Sequence, residues 1–156
     1  MVMRMYVKLK NIAENFRLAI EEAQKAGELK GNMKFFPNGS CSYTCDLLQR
    51  YLHEQGIETF CFYGQASYGE CVESHVWLET EDGIIIDITG DQYKSRIGKF
   101  YNSISVYVGS MTPFYRLFEQ EGSITPYCEP DFDPFGKTQL QLDADYNYEI
   151  ILKHMY

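Results

Sequence analysis

The stretch SHVWLETEDGIIID, residues 74–87, predicts two antiparallel strands joined by a short turn. Apolar and β-branched residues flank a Glu-Asp-Gly turn, which is the usual pattern of a β-hairpin. His75 lies at the start of the first strand and Asp87 at the end of the second. Because side chains alternate between the two faces along a strand, the length of the turn decides whether these two residues can meet.

The turn has two possible lengths. A two-residue turn at 82–83 places the histidine and the aspartate on opposite faces of the sheet. A three-residue turn at 81–83, with Gly83 in the left-handed conformation, pairs Thr80 with Ile84 instead. The imidazole is then diagonal to the carboxylate, at about 7–8 Å between backbones, which allows a hydrogen bond. A working His–Asp pair therefore predicts the longer turn.

A second segment, FPNGSC (residues 36–41), places a cysteine at a predicted helix start. The Pro-Asn-Gly turn ends a loop, and apolar residues then recur at helical spacing up to Gln55. A thiol in this position feels the positive end of the helix dipole, and a nearby imidazole lowers its pKa further. Cys41, His75 and Asp87 thus have the residue types of a nucleophile, a base and an orienting acid. We predict acyl transfer from an amide or ester to water or an amine.

An acyl-transfer site also needs hydrogen-bond donors for the oxyanion. The first is the backbone N–H of Cys41, and Asn38 is the candidate for the second. Ser40 and Trp77 complete the residues that we expect to bind the oxyanion or the substrate. A group of aromatic and acidic residues is expected to form the walls of the substrate cleft, and its acidity would favour a cationic or neutral substrate. Its members are Tyr107, Phe114, Tyr115, Phe118 and residues 128–131.

The rest of the chain predicts a single α+β domain over residues 1–156, with helices first and an antiparallel sheet second. No repeat, low-complexity tract or linker divides it. The predicted elements are helices over 10–28 and 40–55, strands over 57–63, 75–80, 84–89 and 104–108, a surface loop or lid over 126–136, and a final segment, 143–155, that fits either a strand or a helix.

Composition excludes several classes of protein. The chain has 156 residues, of which 45% are apolar, so it can bury a core without metal or disulfide bonds. Its net charge of -8 and the absence of a basic run argue against nucleic acid as a partner. No apolar run reaches signal-peptide or membrane-spanning length, so we expect a cytoplasmic protein without a membrane partner. The five cysteines are odd in number and are expected to stay reduced.

The cysteines and the aspartate also have simpler structural interpretations. A zinc site of Cys41, Cys45 and a histidine is disfavoured for two reasons: CxxxC is not the usual spacing of zinc ligands, and no second Cys/His pair follows. We predict no metal and no cofactor. The remaining cysteines are interpreted as structural or incidental. A carboxylate within the isoleucines of residues 84–88 is costly unless it is paired, so Asp87 requires a buried partner.

The two segments together resemble the transglutaminase-like branch of the papain-like cysteine protease superfamily. FPNGSCSYTCDLLQRYLHEQGI (36–57) and SHVWLETEDGIIIDITGDQY (74–93) carry a Cys at a helix start, His-x-Trp on a strand and Asp on the next strand. The resemblance spans little more than a third of the chain. It implies a nucleophile helix packed on an antiparallel sheet, with a triad of Cys41, His75 and Asp87. The His-to-Asp separation is shorter than in many members, and the upstream glutamine of papain-type proteases is missing.

The resemblance narrows the chemistry more than the substrate. Superfamily members include peptidases, enzymes that cross-link, deamidate or deglycosylate proteins and peptides, and arylamine N-acetyltransferases. We favour cleavage of a peptide or side-chain amide over cross-linking, with a peptide or protein as substrate. Two alternatives stay open: an inactive papain-like fold used as a protein-binding module, and an effector or toxin-type enzyme with the same chemistry. The oligomeric state is not predicted.

Overall fold

The computed structural model describes residues 2–129 and 136–155, and it is an α+β fold. Five antiparallel strands form one sheet in the order β4-β3-β2-β1-β5. The helices are α1 (Val2–Lys25), α2 (Cys41–Glu54), α3 (Pro113–Arg116) and α4 (Gln139–His154), and the strands are β1 (Phe60–Tyr68), β2 (Cys71–Glu79), β3 (Ile85–Asp87), β4 (Tyr107–Gly109) and β5 (Glu121–Pro126).

Helix α1 is longer at its start than the predicted range of 10–28. Its buried stripe includes Leu9, Ala13 and Phe16, whereas apolar residues nearer the start, such as Met3, are exposed. Because the amphipathic pattern is weak in that first part, periodicity alone missed it. The helix ends at Lys25, and Gly27 then adopts a φ of 70°, a left-handed conformation typical of helix termination.

The predicted turn of the central hairpin is confirmed. Leu78 pairs with Ile86 across β2 and β3. The Thr80 N–H donates to the Ile84 carbonyl at 2.9 Å, and Gly83 has a φ of 84°. The turn is therefore the three-residue form, and the histidine and aspartate face the same side of the sheet.

Other strands differ from their predicted bounds because burial is uneven along them. Strands β1 and β2 continue as a hairpin to Tyr68 and Cys71, where most side chains are exposed and apolar alternation is lost. Strand β5 was not predicted, since all six of its residues are exposed. The open choice at 143–155 resolves as helix α4, which begins with a capping box between Thr138 and Gln141.

The sheet separates two hydrophobic clusters. One face packs on α1, α2 and α4 through residues such as Val76 and Leu78. The other face carries an aromatic cluster that includes Trp77, Tyr115 and Phe118. This aromatic side of β2 and β3 is the one toward which the site residues of both strands point.

Candidate active site

His75 and Asp87 form a buried pair at the centre of the site. His75 Nε2 lies 2.8 Å from Asp87 Oδ2, and neither side chain is exposed. The carboxylate also accepts hydrogen bonds from the Tyr115 hydroxyl at 2.8 Å and from the Thr89 N–H at 2.9 Å. Burial raises the pKa of Asp87, but the charge and hydrogen bond of His75 outweigh it, so the pKa lies below its ordinary value. The buried charge is thus fully hydrogen-bonded, as the sequence required.

The aspartate in turn controls the protonation of the histidine. Burial lowers the pKa of His75, yet the Asp87 charge and hydrogen bond, followed by those of Cys41, raise it to about 9. Since Nε2 is occupied by the carboxylate, the other ring nitrogen, Nδ1, is the one available for proton exchange with a neighbour.

Cys41 is the first residue of α2, and its half-buried thiol lies near enough to His75 for the imidazole to act on its pKa. Burial raises the pKa of this thiol, but four favourable interactions outweigh it and the pKa is lowered. They are the hydrogen bond and the charge of His75, a hydrogen bond from Gln92 and one from the Val76 backbone. The three residues predicted to form a triad therefore act on one another in the order thiol, imidazole, carboxylate.

Gln92 is a site residue that sequence analysis missed. It lies on a short 3-10 helix, Gly90–Tyr93, and its Nε2 is 3.1 Å from His75 Nδ1. No hydrophobic period marks such a segment. The available signal was its position in the sequence, five residues after Asp87 and just past the strand that carries this acid. Polar side chains at that point lie at the same edge of the sheet as the end of the strand.

The three residues predicted to bind the oxyanion or substrate have other positions. Asn38 is exposed, and its N–H donates to the Phe35 carbonyl at 2.9 Å, so it belongs to the turn before α2. Ser40 is completely buried, with its hydroxyl donating to the Pro37 carbonyl at 3.0 Å. It stabilises the same turn and does not face a cleft.

Trp77 also lies inside the protein. Its side chain is completely buried, its Nε1 donates to Glu79 Oε1 at 3.0 Å, and its ring stacks on Phe62. The ring centroid is 5.6 Å from that of His75, so Trp77 packs beside the imidazole.

Of the four aromatic residues expected to wall a cleft, Phe114, Tyr115 and Phe118 pack around the imidazole, whereas Tyr107 stacks on Tyr115. Phe118 is completely buried at 5.6 Å between ring centroids from His75, and Tyr115 is also buried. Burial is the main cause that raises the pKa of Tyr115, so its hydroxyl stays protonated and donates to Asp87. These rings exclude water from the His–Asp pair. Of the acidic loop at 128–131, Cys128 and Glu129 are exposed, and residues 130–135 lie outside the described part.

The remaining features to consider are the other cysteines and the side chains that could bind a metal ion. All five cysteines are free. Cys45 is buried one turn after Cys41, with its Sγ 3.5 Å from the Val76 carbonyl. Within residues 2–129 and 136–155, no three His, Cys, Asp or Glu side chains are grouped to hold a metal ion. In that same part of the chain, no helix is long and apolar enough to cross a membrane.

Comparison with known proteins gave no relative. No protein-family model, no curated protein and no solved structure matches the chain. The chemistry of the site must therefore be inferred from its own residues.

Proposed function

We propose that the protein is a cysteine-dependent hydrolase or acyltransferase that acts on amide bonds of peptides or proteins. In this proposal the fold is a variant of the transglutaminase-like, papain-like arrangement. The observation that carries the proposal is the buried His75–Asp87 pair, joined at 2.8 Å, at the start of the helix that carries Cys41, whose pKa the same imidazole lowers. Cys41 is the nucleophile, His75 the base and acid, and Asp87 the orienting residue.

The reaction begins with the thiolate of Cys41 and the imidazolium of His75. The sulfur attacks the carbonyl carbon of the amide, forming a C–S bond and an oxyanion. When this intermediate collapses, the C–N bond breaks and His75 gives its Nδ1 proton to the departing amine. Water or an acceptor amine, deprotonated by His75, then attacks the thioester, and the thiolate and imidazolium are restored.

The protonation pattern favours an enzyme over a binding module. A module without chemistry needs neither a lowered pKa at Cys41 nor a buried, charged His–Asp pair, which costs several kcal/mol in desolvation. Perturbed groups of this kind cluster at functional sites. If the activity test fails, the alternative hypothesis of an inactive protein-binding module is supported.

The test is acylation of Cys41 by a simple activated ester. Incubation with p-nitrophenyl acetate should release p-nitrophenolate in a burst and place one acetyl group on Cys41, which peptide mass spectrometry locates. Cys41→Ser should abolish the burst, whereas Cys71→Ser, which changes an exposed thiol, should leave it intact. Screening of peptide and side-chain amides then follows. Acetylation that is spread evenly over the exposed cysteines, or a burst that survives in Cys41→Ser, would contradict the proposal.

A further inference from the structure

The amide of Gln92 has an unusual position, because it contacts two groups that exchange a proton. Its Nε2 lies 3.1 Å from His75 Nδ1. The same amide also helps to lower the pKa of the Cys41 thiol. An amide nitrogen carries two hydrogens and only donates, so Gln92 presents donors at the place where sulfur, imidazole and substrate carbonyl would meet.

We propose that Gln92 supplies the second oxyanion donor of this site, beside the backbone N–H of Cys41, in place of Asn38. The inference rests on the proposed function, since an oxyanion forms only if Cys41 attacks a carbonyl. Cys41 is the first residue of α2, so its N–H belongs to the group that lacks an intrahelical partner. The two donors come from different elements, the start of α2 and the 3-10 helix that carries Gln92.

The proton balance favours this role over a purely structural one. In the thiolate–imidazolium pair Nδ1 carries a proton, so the nearby Gln92 Nε2 cannot donate to it, because two donors do not bond to each other. When Nδ1 takes the thiol proton, the amide hydrogens are left for the thiolate. When the sulfur attacks a carbonyl, the negative charge moves from sulfur to oxygen. A donor already beside the sulfur then stabilises the charge that develops in the transition state.

The turn that carries Gln92 is held firmly, as a preorganised donor requires. Arg17 Nη1 and Nη2 donate to the neighbouring Asp91 carboxylate at 2.7 and 2.8 Å. Arg17 Nη1 also donates to the Ile88 carbonyl at 2.7 Å, and the arginine and aspartate are both buried. This guanidinium fixes the turn to α1.

Residues on both sides of Gln92 also pack on the triad itself. A Cβ at Gly90 would lie 2.9 Å from Asp87 Oδ2, so only glycine lets the backbone approach this closely. Tyr93 packs edge-on against His75, with ring centroids 5.2 Å apart. The contacts of Gly90 and Tyr93 with the triad thus fix the position of the Gln92 amide relative to the imidazole.

Two reactions of the Cys41 sulfur can distinguish two roles of Gln92: donating to the oxyanion, or only stabilising the thiolate. Alkylation by iodoacetamide displaces iodide at a saturated carbon and forms no oxyanion, whereas p-nitrophenyl acetate passes through a tetrahedral oxyanion. The variants are Gln92→Met, which keeps length without donors, and Gln92→Asn, which keeps the amide on a shorter side chain. Gln139→Met, on the exposed start of α4, is the matched control. Each rate is compared on the high-pH plateau of that variant's own alkylation curve.

In Gln92→Met, acetylation of Cys41 should fall by about 10²–10³-fold, the effect of removing one oxyanion donor, while plateau alkylation stays at the wild-type rate. Gln92→Asn should lie between, and Gln139→Met should match wild type in both reactions. Equal loss in both reactions, or no loss in either, overturns the oxyanion role of Gln92 and leaves the proposed enzyme intact. Wild-type protein that is alkylated but never acetylated at Cys41 overturns the proposed function and this inference with it.

Discussion

Asp87→Asn should remove the charge that keeps His75 protonated. The two side chains are fully buried and joined at 2.8 Å, so the interaction is little screened by solvent. The carboxylate is the main cause that raises the pKa of His75 to about 9, against the lowering effect of burial. Without it, the pKa should fall below its ordinary value of about 6.5. At 1.36 kcal/mol per pKa unit, the change in favour of neutral imidazole is at least about 3 kcal/mol.

The asparagine should also reverse the tautomer. Its amide nitrogen would donate to Nε2 of His75, which forces the ring proton to Nδ1 and leaves no base facing Cys41. The pKa of Cys41 should rise above its ordinary value, because burial then acts without the imidazolium. By comparison with the serine triads, acylation at neutral pH should drop by about 10⁴-fold.

The assay is an NMR titration of the His75 ring proton, assigned by its loss in His75→Ala. Tyr115→Phe is the control, since it removes a 2.8 Å hydrogen bond to the same carboxylate oxygen but keeps the charge. It should leave the His75 pKa near about 9. Thermal unfolding of each variant verifies the fold. A folded Asp87→Asn protein in which His75 still titrates near pH 9 would refute the electrostatic explanation.

Three further perturbations probe the surroundings of the triad. Because the pKa of His75 is raised, its contribution to stability is full below pH 6.5 and is lost as pH rises through about 9, so Tm should decline over that interval, and so should the rate of amide cleavage, whose departing amine needs the His75 proton. Flat profiles across it would contradict the raised pKa. Gly90→Ala forces a Cβ to 2.9 Å from the triad carboxylate, and urea unfolding should show a loss of about 1–3 kcal/mol; unchanged stability and acylation would mean that no close packing exists there. Arg17→Met leaves Asp91 buried without its partner and should cost about 3–5 kcal/mol by urea unfolding, much of which Asp91→Leu in the same chain should restore. A loss under 1 kcal/mol would show that this pair does not hold the turn.

Local patterns predicted the parts of the site that depend on local geometry. The alternation around residues 81–83 required a glycine with positive φ, and Gly83 has it. The turn before Cys41 and the helical spacing after it placed the thiol at a helix start. Both follow from rules that act over a few residues.

The other features depend on tertiary packing. Ser40 and Trp77 are polar or amphipathic types that motifs associate with a cleft, but both are completely buried. Gln92 lies in a short 3-10 turn beside His75, and its neighbour Asp91 is bound by Arg17 of α1, more than seventy residues earlier. Neither burial nor such distant contacts can be deduced from a residue's type and its neighbours in sequence.

The most direct test of the central claim is the pH dependence of iodoacetamide alkylation at Cys41 in wild type and in His75→Ala. The account predicts that Cys41 reacts faster than the exposed Cys71 and Cys128, with a midpoint below the ordinary thiol value of about 8.5. Removing the imidazole should raise that midpoint, because burial of the thiol is then opposed only by the hydrogen bonds of Gln92 and the Val76 backbone. A Cys41 that reacts no faster than the exposed thiols, or whose midpoint is the same without His75, would contradict the thiolate–imidazolium pair and favour a binding module.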